Sequence, residues 1–320
     1  MEEEQKCGAT PLLALVGPTA SGKTKAAVEL ARKFKSLELV SIDSMTVYRS
    51  MDIGTAKPTS DELRGIAYHL LDMVSPWEEY SVSQFQADAN RVLEGIRSRG
   101  SIPLLVGGTG LYYQAVVDGL EIPGQWPELR ASLEERAAME GGLASLYSKL
   151  VELDPDGAEK IQPNNSRRIV RALEVTIGSG TPFSRHGPGL FADVCGKVSA
   201  VGIDLPRTEL FDRISQRLDV LLSSGWVDEV RRISSDPRGM SKTARQALGY
   251  KEILGYLEGS TTLEEARLEI LARTKRFAKR QIAWFKRDPR IAWFDSSEAA
   301  KLELVSILSA IVGYSPEKHN

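Results

Sequence analysis

Cysteine is scarce in this 320-residue sequence, which holds only Cys7 and Cys195. Two thiols cannot build a disulfide framework or a cysteine-based zinc site, and they suit a reducing cytoplasm. Both are read as incidental. No apolar run approaches the length of a membrane span, so no membrane partner is expected. The start, Met1-Glu2-Glu3-Glu4-Gln5-Lys6, is acidic and has no apolar core behind it, unlike a signal peptide. An excess of either charge is also missing: 41 Lys and Arg stand against 43 Asp and Glu, a net charge of -2. A polyanionic partner must therefore be held by local basic patches. Internal repeats and low-complexity segments are absent. What is there, 42% hydrophobic and 26% charged residues, is the composition of a soluble globular protein with one large or two ordinary domains.

The sequence is organised around Gly17-Pro18-Thr19-Ala20-Ser21-Gly22-Lys23-Thr24, which fits G-x-x-x-x-G-K-[ST], the phosphate-binding P-loop. Leu12-Leu13-Ala14-Leu15-Val16 before it reads as a buried parallel strand. Lys25 to Phe34 after it reads as a helix with Ala27, Leu30, Ala31 and Phe34 on one face. The glycines let backbone N–H groups curl round an anion, and the helix N-terminus adds positive potential. Lys23 would reach terminal phosphates and the Thr24 hydroxyl would ligate Mg²⁺. The loop alone specifies a phosphate or diphosphate, not ATP hydrolysis.

Glu38-Leu39-Val40-Ser41-Ile42 reads as a second strand that ends in Asp43. Open α/β sheets keep their chemistry at the carboxyl ends of strands, so Asp43 would face the P-loop mouth if the two strands are parallel neighbours. The plain alternative is a turn former or helix cap. His69, in a short mixed stretch, is given no role. Ser83 to Arg99 is patterned as a helix stopped by Gly100. Pro103-Leu104-Leu105-Val106 reads as a buried strand leading into Gly107-Gly108-Thr109-Gly110, a second glycine turn. That turn could bring Thr109 to the same anion, or it is a tight connection with no ligand. Polar helical stretches follow, Leu129 to Met139, Leu143 to Leu153 and Arg167 to Ile177, and then a loop with Gly178, Gly180, Pro182, Gly187, Pro188 and Gly189. Residues 120–195 are read as a helical insertion in a P-loop core made of 1–119 and 196–320. Lys197 to Leu205 returns to strand. Helices follow over Arg207 to Leu222 and Trp226 to Ile233, the first with Arg213 and Arg217 on one face. A long final helix opens with a Thr262–Glu265 capping box. Its later part carries Arg273, Lys275, Arg276, Lys279, Arg280, Lys286 and Arg287 against only Asp288, interleaved with Phe277, Trp284 and Phe285. This is either a solvated face or a seat for an anion or RNA.

The residues leave three readings open. A small-molecule kinase would hold ATP in the loop and use Asp43 as base. A transferase would hold a diphosphate leaving group there. An RNA-binding module would carry a vestigial loop, basic patches and no carboxylate beside it. A P-loop NTPase normally ends a second buried strand in an acidic Mg²⁺ ligand. Here that strand leads into Gly107-Gly108 with no acid, which weakens the kinase.

Taken together, the P-loop, Asp43-Ser44-Met45 with Val47-Tyr48-Arg49, Asp52 to Pro58, Gly107-Gly108-Thr109, Arg168 to Val175, Leu248-Gly249-Tyr250-Lys251 and Ala278-Lys279-Arg280-Gln281 with Trp284 resemble the tRNA dimethylallyltransferase family. These segments run in family order over about Leu12 to Phe294. Thr46 stands where a Gln is common, and Tyr68 where a second His is often found. No Cys/His finger follows, as in the bacterial form. Adenylate isopentenyltransferases, which share the P-loop and the Asp, are the nearest alternative. The resemblance implies a P-loop NTPase-like α/β parallel sheet flanked by helices, with a helical insertion domain. It implies dimethylallyl transfer from dimethylallyl diphosphate to N6 of the adenosine just 3′ of the anticodon. Asp43, Thr109 and Arg217 would be catalytic, Gly17 to Thr24 would bind the diphosphate, and Thr24 would hold Mg²⁺. For the tRNA anticodon stem-loop it implies Asp43, Ser44, Met45, Thr46, Thr109, Arg130, Arg167, Arg168, Ile169, Val170, Arg171, Gly249, Tyr250 and Lys251. The protein is expected to be a cytoplasmic monomer.

Overall fold

The structure, a computed structural model, describes residues 12–186 and 198–312. Cys7, Cys195, the acidic start, Lys197 and the Gly187-Pro188-Gly189 part of the expected loop lie outside the described residues. Leu12–Val16 (β1) is buried at every position, as a strand covered on both faces must be. It runs through the P-loop into Lys23–Lys33 (α1) and then Leu37–Ser41 (β2). Tyr68–His69 (β3), Val82–Ser98 (α2), Ile102–Gly107 (β4) and Gly110–Val117 (α3) follow. Ser81 starts α2 with a capping box to Gln84.

The contacts then separate Asp118–Ala192 as a compact unit of its own. It contains Pro127–Ala138 (α4), Gly142–Leu153 (α5), Pro155–Glu159 (α6) and Ser166–Ser179 (α7). Leu133, Leu146, Leu150, Ile161, Ile169 and Leu173 form its core. The chain returns with Val198–Ile203 (β5), Arg207–Ser223 (α8), Trp226–Ser234 (α9), Lys242–Arg245 (α10), Tyr250–Leu257 (α11), Leu263–Phe285 (α12), Ile291–Phe294 (β6) and Ser297–Val312 (α13).

The six strands form one parallel sheet in the order β3-β2-β4-β1-β5-β6. Period two divides β1 between two cores. Ala14 and Val16 face Phe85, Leu93, Tyr113, Trp226 and Phe285. Leu13 and Leu15 face Ala27, Leu30, Ile214 and Leu304.

Three sequence expectations change here. β1 and β2 are parallel but not neighbours, because β4 lies between them. The long helix α12 keeps its expected capping box, but β6 and α13 follow it. The short apolar run of β6 is too brief to read as a strand alone. The basic stretch of α12 also has acidic partners: Glu252 for Arg273, Glu269 for Arg276 and Asp204 for Lys286. Only Glu269 lies on the helix itself. The other two come from elements that sequence spacing cannot bring near.

Candidate active site

The P-loop joins β1 to α1 at the carboxyl edge of the sheet. Gly17 sits at φ 148°, and a Cβ there would stand 2.8 Å from the Ile203 carbonyl oxygen, so a side chain would press on β5. Lys23 is buried and donates to the Pro18 carbonyl at 2.5 Å. Burial lowers its ammonium from 10.5 to about 7, with Asp43 opposing and Arg217 assisting that fall.

Asp43 follows β2, and its Oδ1 accepts from the Met45 N–H at 2.8 Å, a local turn that orients the carboxylate. Its charge reaches several neighbours. Burial depresses Arg217 while Asp43 counteracts it, and burial raises the Tyr68 and Tyr112 phenols with Asp43 adding to the rise. The turn after β4 carries Thr109, whose hydroxyl accepts from the Ser44 N–H at 3.2 Å. Its own N–H donates to the Ile42 carbonyl at 3.2 Å. β4 thus lies between β1 and β2, and Thr109 is tied to the turn after β2.

Helix α12 closes against this edge. Gln281 Oε1 accepts from the Thr19 N–H, and its Nε2 donates to the Gly108 carbonyl, each at 2.9 Å. Cβ atoms at Gly108 and Gly110 would stand 2.2 Å from the Gln281 amide and 2.1 Å from the Trp284 ring. The second glycine turn is therefore glycine because two side chains one helical turn apart press onto it.

Asp52 to Pro58 forms another wall. Glu229, 3% exposed, accepts from the N–H groups of Asp52, Ile53 and Gly54 and from the Tyr250 hydroxyl. Lys57 pairs with Asp52 and Asp72 and donates to the Tyr48 carbonyl. Together these segments enclose a cavity of about 1060 Å³, lined by Thr19 to Lys25, Asp43 to Thr46, Gly107 to Thr109, Arg217, Arg273 and Gln281, among others.

The expected site residues separate into distinct groups. Gly17 and Pro18 are buried at the base of the loop, and Thr19 to Thr24 line the cavity with Asp43, Ser44, Met45, Thr46, Thr109 and Arg217. Thr46 is 8% exposed and hydrogen-bonds Ser41 Oγ. Tyr250 borders the cavity, and its hydroxyl donates to Glu229. Gly249 donates its N–H to Glu252, and Lys251 is exposed. In the 118–192 unit, Ile169 and Val170 are core residues whose side chains are closed to RNA, because they occupy the apolar face of α7. Arg171 donates to the Pro123 and Gly124 carbonyls and pairs with buried Glu174. Arg130 pairs with Glu134, while Arg167 and Arg168 are exposed.

Glu229 and Gln281 are the important contributors that motif reading did not single out as site residues. The signal was present. Glu229 stands among Trp226, Val230 and Ile233 at helix spacing, and Gln281 between Ala278 and Phe285. A polar residue on an apolar face needs a buried partner.

A divalent ion fits the donor set beside the loop. Thr24 offers one hydroxyl, and Mg²⁺ takes few protein ligands and completes its shell with phosphate oxygens and water. Among the described residues, no cluster of three His, Cys, Asp or Glu could hold a metal by itself, and no helix is long and apolar enough to cross a membrane.

Known proteins carry the same plan. The family model described as IPP transferase matches residues 46–288, and one described as isopentenyl transferase matches 10–78. A tRNA dimethylallyltransferase of Streptomyces coelicolor is 43% identical over 94% of this chain and 95% of its own length. The crystal structure of a tRNA isopentenylpyrophosphate transferase from Bacillus halodurans is 36% identical, covers 97% of this chain and 100% of its own, and superposes with a TM-score of 0.68. A eukaryotic dimethylallyltransferase acting on tRNA is 26% identical with a TM-score of 0.74, covering 98% of this chain and 82% of its own. A model spanning most of the sequence and relatives matched nearly end to end make this chain a member of the IPP transferase family, alongside the tRNA dimethylallyltransferases.

Proposed function

We propose that this chain transfers a dimethylallyl group from dimethylallyl diphosphate to N6 of the adenosine just 3′ of the anticodon in tRNA, releasing diphosphate. One observation carries the reading beyond family membership. A carboxylate, Asp43, and a hydroxyl, Thr109, share one cavity with a complete P-loop, and β4 ends without an acidic residue.

The diphosphate lies against the P-loop N–H groups, Lys23 and the N-terminus of α1. Its negative charge favours the ammonium form of Lys23, which burial lowers to about 7 in the free protein. The Thr24 hydroxyl would hold Mg²⁺ beside the loop. When bound, that ion would supply charge neutralisation for the leaving group. The exocyclic amine of adenine is a poor nucleophile. Asp43 accepts a hydrogen bond from N6 and takes its proton as the bond to the allylic carbon forms. As the carbon–oxygen bond breaks, charge grows on the departing oxygen, where Lys23, Arg217 and the Thr109 hydroxyl stabilise it. The base is splayed out of its loop to reach Asp43. Arg130, Arg167, Arg168 and Lys251 hold RNA phosphates. The protein acts as a cytoplasmic monomer on the anticodon stem-loop.

The test is mass spectrometry of anticodon stem-loop RNA incubated with protein, Mg²⁺ and dimethylallyl diphosphate. The expected product is one adenosine heavier by a dimethylallyl group. Efficient prenylation of free AMP with none on RNA would move the chain to the free-nucleotide branch. Steady phosphate release from ATP in the presence of RNA alone would revive the kinase reading.

A further inference from the structure

We infer that Gln281 is a positioning residue that sets the Thr109 hydroxyl relative to the P-loop. This rests on the reading of the cavity as a prenyl-transfer site. The ladder between β1 and β4 ends at the Val16–Gly107 pair. Beyond it both chains turn away, one into the P-loop and the other into Gly108-Thr109. The hydrogen bonds of Thr109 outside its own helix tie it to the β2 side, through the Ile42 carbonyl and the Ser44 N–H. The link to the P-loop side is the Gln281 amide, which takes the Thr19 N–H on its oxygen and gives a hydrogen to the Gly108 carbonyl.

A primary amide offers an acceptor and a donor side by side, and that is what this gap between two backbones requires. Gln281 is 6% exposed, so water is poorly placed to substitute. A carboxylate there would leave the Gly108 carbonyl facing a second acceptor. An apolar side chain of the same length would leave both backbone groups without this partner. Leaving-group stabilisation depends on donor placement within a fraction of an ångström, so a loosened turn lowers turnover more than binding.

A double-mutant cycle separates positioning from general packing. Gln281→Met should lower kcat by about ten- to a hundredfold, within the range that a small misplacement costs. The KM values for RNA and prenyl diphosphate should stay within about threefold. In a Thr109→Val background the same substitution should cost less than about threefold, because the hydroxyl it places is already gone. Equal losses in both backgrounds overturn the inference. Gln281→Glu supplies a second reading even if the Met variant does not fold. Its neutral acid mimics the amide and its ionised form does not, so its kcat relative to the unaltered protein should rise as pH falls. A ratio that stays flat with pH overturns the inference as well. An unaltered protein that transfers no prenyl group overturns the function reading instead, which keeps the two failures apart.

Discussion

The polar groups around the cavity and the arginines that open α7 in the 118–192 unit are held differently. In the first, groups around the cavity are fastened to partners far along the chain: Glu229 to Asp52–Gly54, Gln281 to Thr19 and Gly108, Thr109 to Ser44. In the second, Arg171 is fastened while Arg167 and Arg168 stand exposed. Proton transfer and leaving-group stabilisation fail with small displacements, so they need a rigid surround. Phosphate contacts are long-range and forgiving, and exposed arginines serve them well. The difference says where a lost side chain should lower turnover and where it should lower affinity.

The sharpest test is Asp43→Asn. It should lower kcat by about 10²-fold or more, ~2.7 kcal/mol of barrier, with RNA binding largely intact. Single-turnover kinetics beside a filter-binding assay would check it, and near-normal turnover would remove Asp43 from catalysis. Next comes pH. Lys23 sits near 7 in the free protein, so it is ammonium below that pH and increasingly neutral above it. Binding of inorganic diphosphate by the free protein should then weaken by roughly tenfold per pH unit above neutrality, because each binding event must take up a proton. Calorimetry in buffers of different ionisation enthalpy would detect that proton, and none taken up at pH 8 would contradict the account.

Smaller effects belong to the 118–192 unit. Arg167→Ala combined with Arg168→Ala should raise KM for RNA about three- to tenfold, flatten its salt dependence and leave KM for the prenyl diphosphate unchanged. If kcat falls instead, the division between the two units breaks down. Arg171→Ala should have the least effect on activity. It removes two carbonyl contacts and the ion-pair partner of buried Glu174, which keeps its hydrogen bond from the Trp126 N–H, so it should destabilise by roughly 1–3 kcal/mol. A lower Tm with an unchanged KM for RNA would distinguish it from its exposed neighbours.

Much of the fold was legible in local pattern. The continuous burial of β1 and β4, the helix faces of α1 and α2 and the capping box at Thr262 are properties of short windows, and physics acts on them locally; the box at Ser81, two residues before the expected start of α2, was not read. Pro123, Gly124 and Pro127 interrupt the pattern where the expected 120–195 insertion begins. Strand order was not legible. Asp43 reaches the P-loop cavity across β4, an arrangement fixed by sheet packing and invisible to spacing. The α7 motif shows the same limit from the other side. Arg167 to Arg171 reads as one RNA-facing block, yet helix geometry turns Ile169 and Val170 inward and leads Arg171 to carbonyls of the preceding loop. A motif reports which residues occur together, not which way each one points.

The Glu229 carboxylate has a consequence for how this protein can be rebuilt. It supplies from α9 what the Asp52–Gly54 backbone would otherwise seek from a ligand or solvent. The wall is therefore finished before any substrate arrives. Hydrogen exchange at the Asp52, Ile53 and Gly54 amides should be slow in the free protein and change little on RNA binding. The loop is also not a portable module. Grafted into another scaffold without its helix, it would present three unclaimed donors and collapse into a different shape, so any recombination that exchanges one must carry the other with it.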